Sequence, residues 1–533
     1  MKKAKVLLNA LFVPFFLVSC QHGTSSSSSS PITGYHEASV SQYSVINHPT
    51  LDGFRQKGMP STGNVKILVI PVCFSGETDP SFTDEEKAVT EKAYFGKASD
   101  TSWESLSSYY EKSSYGKLHI SGTITEAYKD SRTSLAFQTA SKSGDVLSPL
   151  LNSCVDYATS SLGINTKDYD SNADGLIDVV EMIYVTGQPL LNQGGDAFWW
   201  AMTGKSSINM TGDVTKPVAA RYFWAPYALI CPGNYGGTSI DTHVLIHETG
   251  HAMGLSDYYS YAGGDYAVCP SGGIDMMDFN VGDHDAYSKM VLGWVDPLVV
   301  DGTAKSFSMT LHSFTDTGEC VILHDTKTDP WNGMPYDEYL LLQYYTPTGI
   351  NEKDSTGYPE WTSKLGHGGT YETYGLQVFH IDSRLFQMTT PKADPTGASG
   401  YTVKYVDAVY DETTIDATTG DHHTASFIAA SNTINYSYDV DNNTLGSSNC
   451  LISIVPADGK TSFMTKDYKS SVGLMNNLFG VGEKYGSASF SLDKYAANMT
   501  NGNKFNDGSS LDYSFTVTSN DASSCSLEFT SAA

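Results

Sequence analysis

The apolar positions change period along the chain, and the change divides it. From Val65 to Phe74 they run almost unbroken, which predicts a buried strand. Helical spacing follows over about 83–96 and 102–112. A strand is predicted over 117–125, a helix near 145–161, a strand over 178–186, and helices over 241–253 and near 284–293. This alternation across residues 63–298 predicts an α/β (α+β) domain. From about residue 299 the helical period fades. Short alternating segments take over (Ser306–Leu311, Tyr339–Tyr345, Gln377–Ile381, Leu451–Val455, Tyr513–Val517), with Gly, Asn, Ser and Asp between them. They predict a β-rich region over 299–533, of β-sandwich type.

The N-terminus has its own pattern. Met1-Lys2-Lys3-Ala4-Lys5 is basic, and Val6–Val18 is apolar but too short to span a bilayer comfortably. Residues 1–19 therefore read as a signal peptide. Leu17-Val18-Ser19-Cys20 resembles a bacterial lipobox, so Cys20 is the expected lipidation site and the chain an exported protein anchored to a bacterial membrane. Residues 20–35, Ser-rich, form the tether, and 36–62 a linker or short pro-segment. The formal charge of −27 suits a soluble exported protein and repels phosphate backbones, which excludes a nucleic-acid partner. Besides Cys20, the cysteines are widely spaced and odd in number, so no disulfide framework is indicated.

The candidate chemistry lies in His247-Glu248-Thr249-Gly250-His251-Ala252-Met253-Gly254-Leu255-Ser256-Asp257. Two histidines four apart share one helix face, so both imidazoles can reach one zinc ion. Glu248 then stands as general base and acid on a zinc-bound water. Gly254 can end the helix and turn the chain back, and Asp257 can supply the third ligand, leaving a fourth position open as a catalytic site needs. His-Glu-x-x-His alone arises by chance in about 2% of such chains, and with the later Gly and Asp in roughly one in ten thousand, so the motif is specific. Cys231 and Cys269 are single, which argues against a closed structural zinc site. Peptide-bond hydrolysis is the reaction class this chemistry suits.

Downstream stand Gly273-Ile274-Asp275-Met276-Met277-Asp278-Phe279-Asn280, Ala286-Tyr287-Ser288-Lys289 and Leu292-Gly293-Trp294-Val295. With these segments the chain resembles the immune inhibitor A-type metallopeptidases, a family of secreted bacterial proteins. The elongated motif is similar to that of the metzincins, with Asp in place of the third His. The resemblance covers roughly 64–300 and continues more weakly at Tyr339–Gln343 and Gly375–Asp382. It implies a zincin-like domain whose zinc helix floors a cleft, with Met276 or Met277 beneath the metal. Trp199-Trp200-Ala201 stands where the family often carries an aromatic-Pro-His element. Tyr287 reads as a core residue, with oxyanion stabilisation as its alternative role. Asp275 and Asp278 are the alternatives to Asp257.

A second motif, Asp170–Glu181, fits the twelve-residue EF-hand loop. Oxygen ligands to calcium fall at Asp170, Asn172, Asp174, the Leu176 carbonyl, Asp178 and Glu181, with Gly175 at the turn. The flanks are not helical, so a structural calcium loop at the edge of a sheet is expected. Together these features point to a zinc endopeptidase acting on extracellular proteins or peptides. The competing class is a surface-binding lipoprotein with a degenerate zincin fold, against which the intact His247, Glu248 and His251 argue. A zinc hydrolase of a non-peptide amide remains open, because the motif specifies the attacking water and not the substrate.

Overall fold

The computed structural model describes residues 59–76, 78–101, 103–186, 197–198, 201–208, 211–232, 239–259, 270–300, 306–324, 337–358, 371–383, 450–459, 477–486 and 513–531, with short pieces such as 35–37, 385–388 and 432. The signal and lipidation segment with Cys20, the tether, Trp199-Trp200 and Cys269 lie outside them. In chain order the first half carries β1 (Tyr35–Glu37), β2 (Gly63–Cys73), α1 (Asp84–Phe95), α2 (Leu106–Ser113), β3 (Leu118–Ile124), β4 (Tyr128–Lys129), α3 (Ser134–Ser141) and α4 (Leu147–Ser160). Then come β5 (Leu176–Ile177), β6 (Val180–Tyr184), β7 (Met202–Lys205), β8 (Val218–Ala219), β9 (Arg221–Pro226), α5 (His243–Ala252) and α6 (Ala286–Val291). The second half carries β10 (Leu298–Val300), β11 (Ser306–His312), β12 (Cys320–Leu323), β13 (Glu338–Tyr345) and β14 (Gly375–Asp382), followed by short strands including Ile452–Ile454 and two long ones, Tyr513–Asn520 and Ser524–Ser531. The class is α+β.

Strands β3-β2-β6-β9-β7 form one sheet, parallel except for β7, which runs antiparallel to β9 at its edge. Side chains alternate across it, as a two-residue period requires. On β2, Val65, Ile67 and Val69 face the core shared with α1, α2 and α5, while Leu68, Ile70 and Val72 face α3 and α4. Helix α1 starts at its capping box: Thr83 Oγ1 accepts from Glu86 N, and Glu86 Oε2 accepts from Thr83 N. Helix α2 begins four residues later than its spacing predicts. Ser105 is its N-cap, and Trp103 is drawn into the core.

The strands beyond residue 297 build a six-stranded sheet of order β1-β10-β12-β13-β14 and Ile452–Ile454, to which β1 is added at the edge from the N-terminal part of the chain. Its strands β13 and β14 are buried on both faces, which is why Tyr339-Leu340-Leu341-Leu342 reads as an unbroken apolar run. Tyr339, Leu341, Phe379 and Ile381 join the core beneath α5 and α6. Leu340, Leu342 and Val378 face a four-stranded sheet built on β11, Ser524–Ser531 and Tyr513–Asn520. Two sheets thus enclose one apolar layer, and one apolar core runs across residue 298. Among the described residues no helix is long and apolar enough to cross a membrane.

Candidate metal centre

Helix α5 is ten residues long, and all but His251 are buried. Tyr110 on α2 donates its hydroxyl to the Ile246 carbonyl at 2.6 Å, which fixes the helix on the core. Thr242 gives its hydroxyl to the Glu104 carbonyl, while Asp241 Oδ1 accepts from His243 N. Gly254 has φ 104°, a conformation open to glycine, and past it the chain doubles back to bring Asp257 over the helix.

The Nε2 atoms of His247 and His251 lie 3.0 and 3.1 Å from Asp257 Oδ1. Their Nδ1 atoms are each 2.8 Å from a carbonyl, that of Met276 for His247 and that of Leu255 for His251. A carbonyl only accepts, so each Nδ1 keeps its proton and each Nε2 is left to face Asp257. Among the described residues this is the only set of three or more His, Cys, Asp or Glu whose ligand atoms all lie within 4.8 Å of one another. Burial opposes a charge on His251, but the Asp257 carboxylate outweighs it and lifts its pKa to about 10. Burial of Asp257 is likewise outweighed by the two imidazoles, which hold its carboxyl far below the usual range. Two imidazole nitrogens, one carboxylate oxygen and fixed tautomers make a donor set that fits zinc with a position to spare.

Glu248 sits between the two histidines in sequence and is 7% exposed. Thr203 Oγ1 on β7 lies 2.8 Å from both its Oε2 and its backbone oxygen. Tyr259 lies beside the triad. Its ring is near parallel to that of His247, with centroids 6.4 Å apart, and its hydroxyl donates to Asp257. Burial, then Asp257 and Glu248, push the Tyr259 phenol far up, so it keeps its proton. Arg221 on β9 donates to the His251 carbonyl at 3.3 Å. Thr203, Arg221 and Tyr259 were not foreseen from sequence. The Tyr258-Tyr259 pair directly after Asp257 is the one sequence feature that could have pointed to Tyr259.

The two methionines divide their work. Met276 supplies the carbonyl for His247, and Met277 packs against Gly250 of α5, so closely that a Cβ there would stand 2.5 Å from Met277 Sδ. Asp275 and Asp278 are engaged elsewhere. Asp275 accepts from the amides of Met277 and Asp285, and Asp278 from Ser271 and the Gly273 amide. Tyr287 is 2% exposed, with its hydroxyl turned to Ser383, and is a core residue.

The Asp170–Glu181 segment comes together in part. Asp170 accepts from the amides of Asp174 and Gly175, Asp174 Oδ1 from that of Leu176, and Asp178 from that of Ser171. Asn172 Oδ1 accepts from Asp174 N, and Gly175 has φ 86°. Burial, with Asp170 and Asp174 adding to it, lifts the Asp178 carboxyl to about 7. Glu181 does not join them. It lies on β6, is 1% exposed, and accepts the Tyr94 hydroxyl at 2.5 Å on the α5 side of the sheet. The expectation that Glu181 closes the calcium loop is therefore corrected: the side-chain alternation of β6 carries it into the core. No protein-family model matches the chain, and a search of curated proteins finds no match.

Proposed function

We propose that this protein is a zinc-dependent endopeptidase of zincin-like type, related to the immune inhibitor A-type metallopeptidases its motifs resemble. The observation that carries the reading is the convergence of His247, His251 and Asp257 with Glu248 alongside. Zinc held there would supply Lewis-acid chemistry, polarising a substrate carbonyl and lowering the pKa of a water. His247 and His251 hold their Nε2 atoms inward because carbonyls fix their other nitrogens. Glu248 accepts a proton at its carboxylate and returns it to the leaving amine. Thr203 orients Glu248 through Oε2. β7, which carries Thr203, is the edge of its sheet among the described strands, the position at which an extended peptide would add as a further strand. The shortened loop ligand set Asp170, Asn172, Asp174, Leu176 and Asp178 would hold a structural calcium ion, whose charge would offset the repulsion among these carboxylates. Cys20 carries the lipid that keeps the enzyme at the cell surface.

The test uses a soluble chain lacking residues 1–20 and its Glu248→Ala variant, with zinc and calcium present. The expected outcome is degradation of casein or gelatin by the native sequence, lost in the variant, while both retain one zinc per chain. A native chain that binds no zinc would sink the reading.

A further inference from the structure

The segment that carries Asp257 is held on three sides. The Tyr258 amide donates to the Met277 carbonyl at 2.8 Å, and the Tyr258 hydroxyl meets Ser288 Oγ at 2.7 Å. The Tyr258 carbonyl accepts from Asn432 Nδ2 at 2.8 Å, and Asn432 also pairs with the main chain of Ile452. Tyr258 is fully buried. The backbone beside Asp257 is thus fixed, but its carboxylate still has a soft terminal torsion. Rotation about it would carry Oδ1 off the two imidazoles.

We propose that Tyr259 is the positioning residue for the third ligand: its hydroxyl holds the Asp257 carboxylate with Oδ1 toward His247 and His251, and its ring braces His247. The hydroxyl donates to Asp257, and the two rings are inclined by only 19°. Ligating carboxylates that are themselves hydrogen-bonded bind metal more tightly, and loss of such a partner costs about 10–100-fold in affinity. At 6.4 Å between centroids the ring contact is loose, so the hydroxyl is the larger contribution. The inference rests on the metal reading above and assigns a residue that the His-Glu-x-x-His pattern does not include.

Tyr259→Phe removes the hydroxyl and keeps the ring. Zinc affinity is measured by competition with a chromogenic chelator, the ligand field by the visible spectrum of the cobalt-substituted protein, and the fold by thermal melting of the chelator-treated chain. The expected result is about 10–100-fold weaker zinc binding, an altered cobalt spectrum and an unchanged melting temperature. Unchanged zinc affinity and cobalt spectrum in the variant, with a native chain that binds zinc, overturn the role of Tyr259 alone. A variant that fails to melt cooperatively overturns it too, because the residue is then structural. A native chain without zinc overturns the metal reading itself.

Discussion

Glu181 shows how a local pattern loses to a sheet. Its position twelve in the loop pattern is sound as spacing, yet β6 pairs with β2 on one side and β9 on the other from Val180 onward. Alternation then puts Glu181 with Val179 and Ile183, on the side of α5, beside Tyr94. Burial raises its carboxyl to about 8, against the Tyr94 hydrogen bond and with Glu248 adding to the rise. The folded pKa lies above the unfolded one. The stability linked to this group is fully present below about 4.5 and is lost as pH rises through about 8. Glu181→Gln keeps an acceptor for Tyr94 and removes the titration. Melting curves between pH 5 and 9 should be flatter in the variant, by an amount on the order of a few kcal/mol in stability at the alkaline end. Calcium affinity, read by isothermal titration, should not change, whereas Asp170→Ala should abolish it. A parallel loss of calcium binding in Glu181→Gln would restore Glu181 to the loop. His247, Glu248, His251 and Asp257 were legible in sequence because one helix and one turn suffice to assemble them. Tyr259, Thr203 and Asn432 act through tertiary contacts that no spacing encodes.

Elements were legible where their ends carry their own chemistry. α1 is announced by the Thr83–Glu86 capping box, and the apolar run of β2 by burial on both faces. α3 and β7 were missed. α3 is eight residues long and takes part of its N-terminal capping from Asp79, far away in the chain. β7, Met202-Thr203-Gly204-Lys205, is half-buried and has no alternating apolar pattern to read. α5 depends on a glycine that its sequence pattern does not explain. Gly250 faces Met277, which is fully buried, so a methyl group at 250 would have to displace Met277 Sδ within the core. In Gly250→Ala the overpacking costs about 1–3 kcal/mol, and the better helix propensity of alanine returns up to about 1. Net destabilisation of about 1 kcal/mol is expected in chemical unfolding, together with weaker zinc binding, since Met276 next to Met277 orients His247. A more stable variant would show that Met277 moves freely.

At the scale of the whole molecule the change of hydrophobic period near residue 299 marks a change of architecture but not a break in the core. The face of the six-stranded sheet that carries Tyr339, Leu341, Phe379 and Ile381 is covered by the half that holds His247, His251 and Asp257. Polar contacts cross the same boundary. Asn351 Oδ1 accepts from the Asp283 amide and Gln343 Oε1 from the Ala286 amide, both at 2.8 Å, and Trp103 Nε1 donates to the Ile350 carbonyl at 2.9 Å. These donors are buried, and each left without its acceptor costs about 1–3 kcal/mol. The start of α6 and the floor of α2 are thus completed from the C-terminal half, and Asn432 reaches from there to the segment next to Asp257. A chain of residues 59–298 would expose a broad apolar face and lose these acceptors together. Such a fragment should aggregate on expression or, if recovered, bind a hydrophobic dye, melt without cooperativity and bind zinc more weakly than the full chain. A soluble fragment that melts cooperatively and holds one zinc as tightly as the full chain would show that the C-terminal sheets are appended to a self-sufficient N-terminal domain. The shared core and the crossing hydrogen bonds argue that the sheets form the back wall on which α5 and the segment after Asp257 are held.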